Sequence, residues 1–218
     1  MDATPGSTDP RQVWSAWWHH LKDVPPDNYP GPVADVSVRA AGADDAADIA
    51  RIQLDTWRTA YGQILPANRL AALDEAAVRE TWRAAVVEPP SPHHHVLVAQ
   101  EQEWLVGFAA IGPAEEVLEG DPEPDTTAAI TALLVEPRWG RRGHGSRLLA
   151  ASVDHWRGDG LTRAVVWLPE DDAASSAFYA SAGWARDGYV RALDTGAGTL
   201  REMRWHVSLA DGAQSSPA

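Results

Sequence analysis

The run Arg-Trp-Gly-Arg-Arg-Gly-His-Gly-Ser-Arg-Leu-Leu at residues 138–149 combines bare backbone with positive charge. Pro137, just before it, has no N–H for a ladder, so a preceding strand must end there. Gly140, Gly143 and Gly145 allow positive φ and let a ligand come close to the main chain. A helix is predicted from about Gly145 to Arg157, with Ser146 near its start. The N–H groups of a first helical turn have no partners inside the helix and carry the positive end of its dipole. Arg138, Arg141, Arg142 and Arg147 lie in the same stretch. Exposed amides flanked by guanidinium groups make a diphosphate site. Without an anionic ligand, such a turn would gather cations with nothing to offset their repulsion.

Other phosphate and nucleophile motifs fit poorly. The dinucleotide fingerprint needs G-x-G-x-x-G, whereas the glycines here follow G-x-x-G-x-G. The nucleotide-hydrolase loop G-x-x-x-x-G-K-[ST] is nearly matched by residues 140–147. Ser146, however, holds its lysine position and Arg147 the position of its magnesium-binding hydroxyl. The nucleophile turn G-x-S-x-G fails, since Ser146 is followed by Arg147 and Leu148. Cysteine is absent, which removes disulfides, thiolate metal ligands and a cysteine nucleophile. His93, His94 and His95 enter a strand, so alternation leaves only His93 and His95 able to share an ion. No carboxylate lies close in sequence, and solvated loop side chains with no metal are the expectation. His19 and His20 are read the same way.

The elements that must hold this loop read as a mixed sheet with helices. Val36 and Val38 alternate with polar neighbours in a first strand. Ile49, Ile52, Trp57 and Tyr61 fall at helical spacing after acidic residues, and Gly62 stops that helix. Val78, Trp82, Ala85 and Val86 share a face of a second helix over about 74–87. Residues 95–100 and 104–112 form two strands joined by a tight turn near Gln102. Residues 126–137 are a longer, mostly apolar strand, hence central. The helix after the glycines buries Leu149, Val153 and Trp156. A strand over residues 163–170, a short helix stopped by Gly183 and a terminal hairpin around residues 194–198 complete the chain. In its last strand Met203, Trp205 and Val207 alternate with Arg204, His206 and Ser208. Adjacent strand runs favour antiparallel pairing; the strand–helix–strand unit over 126–168 favours one parallel pair.

The organisation expected is an extension over residues 1–35, a domain over 36–209 and a polar tail over 210–218. The extension carries a short Trp-rich helix and a Pro-rich linker, Asp-Val-Pro-Pro-Asp-Asn-Tyr-Pro-Gly-Pro-Val at 23–33. That helix packs on its own domain or on a second copy, which leaves a homodimer open. The formal net charge of −13 disfavours nucleic acid and acidic membranes. It leans towards cationic small molecules, or simply serves solubility. No apolar run approaches the ~18 residues of a membrane span, and no secretory signal is visible, so a cytoplasmic protein is expected.

The glycines Gly143 and Gly145 in Arg-Arg-Gly-His-Gly-Ser resemble the pyrophosphate loop Q/R-x-x-G-x-G/A of the GNAT superfamily of N-acetyltransferases. Gly140 stands where that pattern has Gln or Arg, with Arg141 next to it. A second stretch, Asp-Asp-Ala-Ala-Ser-Ser-Ala-Phe-Tyr-Ala-Ser-Ala-Gly-Trp at 171–184, is similar to the family's N-x-x-A-x-x-F/L-Y-x-x-x-G-F segment. Phe178, Tyr179, Gly183 and Trp184 fall in register, with Asp172 at the Asn position and Ser175 at the Ala position. The resemblance covers about residues 36–208, and it rests on two motifs at family-like separation.

The resemblance implies an α/β (α+β) fold with a GNAT-like mixed, mostly antiparallel central sheet, one splayed parallel strand pair and flanking helices. It implies acetyl-CoA as co-substrate. Backbone groups of Leu133, Leu134 and Val135 would pair with the pantetheine arm. The loop Arg141, Arg142, Gly143, His144, Gly145 and Ser146 would hold the pyrophosphate, with Asp172 at a further cofactor contact. Tyr179 would protonate the departing thiolate; a phenol of ordinary pKa near ~10 suits that task. Trp57 and Tyr61, with Asp55 nearby, would border the acceptor cleft and suit a cationic amine. The general base stays open among Glu170, Asp171 and Asp125, because Ala129 and Thr131 occupy the central-strand positions where the family often has Glu. The implied reaction is direct transfer of an acetyl group to a primary amine, small or peptidic, in a ternary complex. A coenzyme-A-binding regulatory domain without turnover and a P-loop-like nucleotide-binding protein are the alternatives.

Overall fold

The computed structural model describes residues 36–61, 73–116, 118, 120–122, 124–194 and 198–210. The expected extension over 1–35, the tail beyond 210, the loop after Tyr61 and the tip of the last hairpin lie outside the described residues, as does the Tyr61 side chain.

Seven strands form one sheet: β1 (Val36–Ala40), β2 (His95–Glu101), β3 (Trp104–Pro113), β4 (Thr127–Val135), β5 (Arg163–Pro169), β6 (Ala185–Asp194) and β7 (Thr199–Ser208). Their spatial order is β1-β2-β3-β4-β5-β7-β6, and only β4 and β5 run parallel. Gln102 adopts φ 56° in the tight turn between β2 and β3. The mixed sheet expected from the element order is present, parallel pair included.

Helices α1 (Ala46–Tyr61) and α2 (Glu75–Val87) cover one face. A 3-10 turn at Ala43–Asp45 leads into α1, where the Asp45 carboxylate accepts from Gly42 N at 2.7 Å and from Arg39 Nη2 at 2.8 Å. Asp74 caps α2 by accepting from Ala76 N at 2.9 Å, a bond that satisfies one of the free amides of its first turn. Ile49, Ile52, Trp57 and Trp82 pack with Phe108, Ala132 and Leu134. Trp82 donates to Gln53 and meets Phe108 edge-on at 5.0 Å.

Helices α3 (His144–Gly158) and α4 (Ala173–Ser181) belong to the other core, with Leu148, Leu149 and Trp156 against Val106, Ile130 and Leu133. α3 starts at His144, ahead of the predicted start, so His144 heads the buried stripe of Leu148 and Ser152.

β4 changes phase midway. Ala110 stands opposite Ala132 and Ile111 opposite Ile130, so Thr131 is an extra residue, a β-bulge. Ala128, Ile130 and Leu133 therefore face α3, while Ala132 and Leu134 face α1 and α2. A strict two-residue period would have put Ile130, Ala132 and Leu134 on one face.

Candidate active site

The parallel ladder joins Thr127–Ile130 to Arg163–Val166 and stops there. Both strands continue, β4 to Val135 and β5 to Pro169. Beyond Ile130, β4 stays paired to β3 alone: Leu133, Leu134 and Val135 stand opposite Ala109, Phe108 and Gly107. Among the described residues no strand pairs with the opposite edge of this stretch. A row of main-chain donors and acceptors thus borders the gap between diverging parallel strands.

At the end of that open edge the chain turns through Pro137–Trp139 into the glycine loop. Arg141 has φ 60° and Gly143 φ 82°, the latter as N-cap of α3. A side chain at Gly143 would be strained by that φ and would meet Arg147 Nη1 at 3.0 Å. At Gly145 a Cβ would make only ordinary contacts with Phe178 and Leu133, from 3.5 Å outwards. The protein's own packing does not demand glycine there. The free amides at the head of α3 are those of His144, Gly145 and Ser146, in a helix of fifteen residues.

The arginines divide in their duties. Arg142 Nη1 donates to Glu101 Oε1 at 2.9 Å, with its guanidinium 4.9 Å from the Trp139 ring centroid. Arg147 Nη1 donates to the carbonyl of Arg142 at 2.9 Å and so ties the loop to α3. Arg141 is exposed. The imidazole of His144 is buried, with Nε2 2.8 Å from Glu101 Oε2, and so turns inward. Burial, outweighing Glu101, lowers its pKa below the ordinary histidine value. Glu101, at the end of β2, therefore clamps two loop residues from beneath. Its part was not visible in the sequence, where it is one more acidic residue before a turn.

Asp172 caps α4, its carboxylate accepting from Ala174 N and Ser175 N at 3.0 Å and from Ser175 Oγ at 2.7 Å. The carboxylate expected to meet cofactor is engaged in starting the helix that carries Tyr179. Tyr179 is fully buried, edge-on to Phe178 at 5.0 Å and to Trp184 at 5.1 Å. Burial, and secondarily the Asp172 charge, push its phenol well above the usual range, so it stays protonated, which corrects the expectation of an ordinary phenol pKa matched to the departing thiolate.

On the face opposite α3 lies a cavity of about 310 Å³. Ala129 to Ala132 on β4 and Val165 to Trp167 on β5 line it, so it opens against the bulge where the parallel ladder ends. Trp82, His94, Glu115, Glu116 and Arg191 complete much of its wall. Trp57, expected in an acceptor cleft, is instead 5% exposed in the core under α1. Of the carboxylates considered as base, Glu170 pairs with Arg201 at 2.8 Å at the surface, while Asp125 and Asp171 are exposed.

The histidine run separates as alternation requires. His94 meets Ser91 Oγ at 2.8 Å on the cavity side. His93 and His95 both approach Asp159 Oδ2, at 3.2 and 3.3 Å, and His95 stacks on His155. His93 is exposed in the turn before β2, as expected of a solvated loop side chain, whereas His95 is half-buried at the start of the strand; Asp159, distant in sequence, is the carboxylate both approach. Among the described residues no group of three or more such side chains is arranged to hold a metal, and no helix is long and apolar enough to cross a membrane.

A splayed parallel pair, a glycine loop at its end and a cavity on its far side form a geometry that suits acyl transfer. The family model described as the acetyltransferase (GNAT) family matches residues 49–184, and the chain belongs to that family, an acyltransferase family. It is 32% identical over 139 residues to the protein named uncharacterized N-acetyltransferase YuaI of Bacillus subtilis (strain 168), covering 63% of this chain and 73% of the relative. The fold is shared with YncA, a putative acetyltransferase from Salmonella typhimurium solved with acetyl-CoA (TM-score 0.61, 19% identity, 84% of this chain and 98% of that one). It is also shared with the PaiA N-acetyltransferase of Thermoplasma acidophilum in complex with coenzyme A (TM-score 0.60, 14% identity, 80% and 99%).

Proposed function

We propose that the protein transfers the acetyl group of acetyl-CoA to a primary amine by direct attack in a ternary complex. The observation that carries this reading is the unpaired edge of β4 beyond Ile130, with the glycine loop at its end and the cavity across it. The edge at Leu133, Leu134 and Val135 offers main-chain partners to the two amides of a pantetheine arm. The amides of His144 to Ser146 receive the pyrophosphate, with Gly143 and Gly145 keeping the approach open and Arg141 at hand as a cation. Arg142 and the His144 imidazole shape the loop through Glu101, and Asp172 sets the start of α4.

The amine enters from the cavity side. Its nitrogen forms the new C–N bond as the C–S bond of the thioester breaks. Holding both reactants in one gap supplies much of the acceleration. With no cysteine in the chain, there is no acetyl-cysteine intermediate. Tyr179 remains a phenol throughout and steadies the departing sulfur by donating a hydrogen bond.

The test is release of free thiol from acetyl-CoA across amine classes, beside a thermal-shift panel of acetyl-CoA, CoA, ATP-magnesium and NAD. Acetyl-CoA and CoA are expected to stabilise the protein and at least one amine to release thiol. Binding without thiol release from any amine would convert the reading to a regulatory coenzyme A domain. Tyr179→Phe is expected to lower turnover about 100-fold with acetyl-CoA affinity nearly unchanged. Unaltered turnover would remove the phenol from the mechanism.

A further inference from the structure

The buried charges beside the cavity mostly satisfy one another. Arg204 Nε donates to Asp187 Oδ2 at 2.7 Å, its other edge pairs with Asp121, and Arg163 donates to the same Asp187 oxygen at 2.8 Å. Glu202 differs. It is fully buried, its Oε2 accepts from Arg191 Nε at 2.7 Å, and its Oε1 has no partner among the described residues. A buried carboxylate oxygen without a donor is costly for the fold, so its presence calls for a reason.

The strand register says where Glu202 faces. It stands opposite Arg191 on β6 and Pro169 on β5, while Arg204 stands opposite Trp167. Directly paired residues share a sheet face, as do residues two apart in one strand. Glu202 therefore lies on the face of Trp167 and Arg191, both of which line the cavity. It sits level with the end of β5, past the last rung of the parallel ladder. Arg191 reaches from Glu202 to Glu116, where Nη1 donates at 2.7 Å, and its guanidinium lies 4.3 Å from the Trp167 ring centroid. The carboxyl is thus one side chain behind the cavity wall.

We propose that Glu202 takes up the proton that the acceptor's ammonium group must lose before attack, through one water beside Arg191. This rests on the amine reading above. The N–H bond of the ammonium breaks, its electron pair stays on nitrogen, and the proton passes through water to Glu202 Oε1. The neutral nitrogen then bonds the thioester carbon. On collapse it yields its second proton, which ends on the coenzyme A thiolate, and Glu202 returns its own proton to solvent. No carboxylate on the cavity wall matches this environment, and of the histidines there His94 is engaged through Nδ1 with Ser91 Oγ at 2.8 Å and His95 through Nε2 with Asp159 at 3.3 Å. The side chains of Glu115 and Glu116 are 57% and 49% exposed, and Ala129 and Thr131 on β4 carry no titratable group.

The charged groups around Glu202 are Arg191 on β6, Glu116 from the segment after β3 and, two residues along β7, Arg204. Burial pushes the carboxyl up most strongly, Arg191 pulls it back and Glu116 raises it, which leaves it at about 7. A proton acceptor poised near the working pH is at its most effective.

The experiment compares wild type and Glu202→Gln in thiol release from acetyl-CoA, with spermidine, tyramine and an alanine-ended peptide as probe acceptors, from pH 5.5 to 9. Carbon-13 NMR of glutamate-labelled protein follows the carboxyl itself. Gln retains the shape and can still accept from Arg191. Expected are a drop of about 100-fold in kcat/KM and loss of the acidic limb near pH 7, with acetyl-CoA Kd and Tm essentially kept. A carboxyl resonance missing from the variant is expected to titrate near 7. An acidic limb that survives in Glu202→Gln overturns the proposal. So does a Glu202 resonance titrating in the ordinary carboxylate range, whatever the turnover. Acetyl-CoA binding with no thiol release from any probe overturns the amine reading itself, and is told apart because neither protein then turns over.

Discussion

Arg142 and Arg204 both pair with carboxylates, in opposite surroundings: their side chains are 54% and 2% exposed. Arg142 belongs to a loop of free helix-terminal amides and solvent-facing guanidinium groups. Arg204 belongs to the other end of the sheet, where Arg163, Asp121 and Asp187 are folded into the protein with it and close on one another. The first region presents most of its charge to solvent, and its stability depends little on those exposed charges. The second closes largely on itself, and removing one of its charges leaves another buried without its partner.

The largest effect expected from that contrast is on Arg204. Arg204→Met leaves Asp121 and Asp187 buried with their main partner gone, and breaking a buried pair in this way costs about 3–5 kcal/mol. Arg142→Ala breaks a largely exposed pair and costs about 1 kcal/mol or less. Urea denaturation of both variants measures the difference. Equal losses would mean that the two regions are not electrostatically distinct.

The same contrast explains what could be read from the amino-acid order. The loop at 138–149 is legible because its features lie in consecutive residues: glycines, a helix start and clustered arginines. The core faces of α1, α2 and α3 are legible through helical period, and Trp57, Trp82 and Trp156 are all buried. The cavity side is assembled across strands and is largely invisible in the sequence. Arg204 falls on the polar phase of β7, opposite to Met203 and Trp205, which by alternation reads as solvent-facing. Its partners lie 17 and 83 residues away, and nothing local announces them. Glu202 was missed for the same reason. The bulge at Thr131 defeats a two-residue period because one extra residue exchanges the faces of everything after it.

Glu101 gives a smaller and more selective way to separate the regions. Glu101→Gln weakens the hold on Arg142 and His144 together: the largely exposed bond to Arg142 contributes about 1 kcal/mol or less, and the buried one to His144 about 1.5–3 kcal/mol. Part of that loss should appear as weaker acetyl-CoA binding, of about 10-fold, because the loop must be reordered when the anion binds. Calorimetry of acetyl-CoA binding checks it, with kcat at saturation as the control. A lower kcat with unchanged Kd would place Glu101 in the chemistry and erase the distinction between loop support and reaction.

The smallest effect concerns His144, whose buried imidazole links the loop to pH. Its native pKa is lowered, chiefly by burial, so the folded protein prefers the neutral ring. The stability associated with this preference is complete above the ordinary histidine value of about 6.5 and declines as pH falls through and below it. His144→Gln keeps a neutral hydrogen-bonding group beside Glu101 without that liability. Its Tm deficit relative to wild type should therefore shrink between pH 7.5 and 5.5, by about 2 °C or less. His94, His155 and His206 are lowered in the same direction, so both proteins still lose stability in acid and only the difference between them is diagnostic. A deficit that widens on acidification would mean that the protonated ring is the one Glu101 holds, and that the glycine loop carries a buried cation of its own, as the Arg204 cluster does.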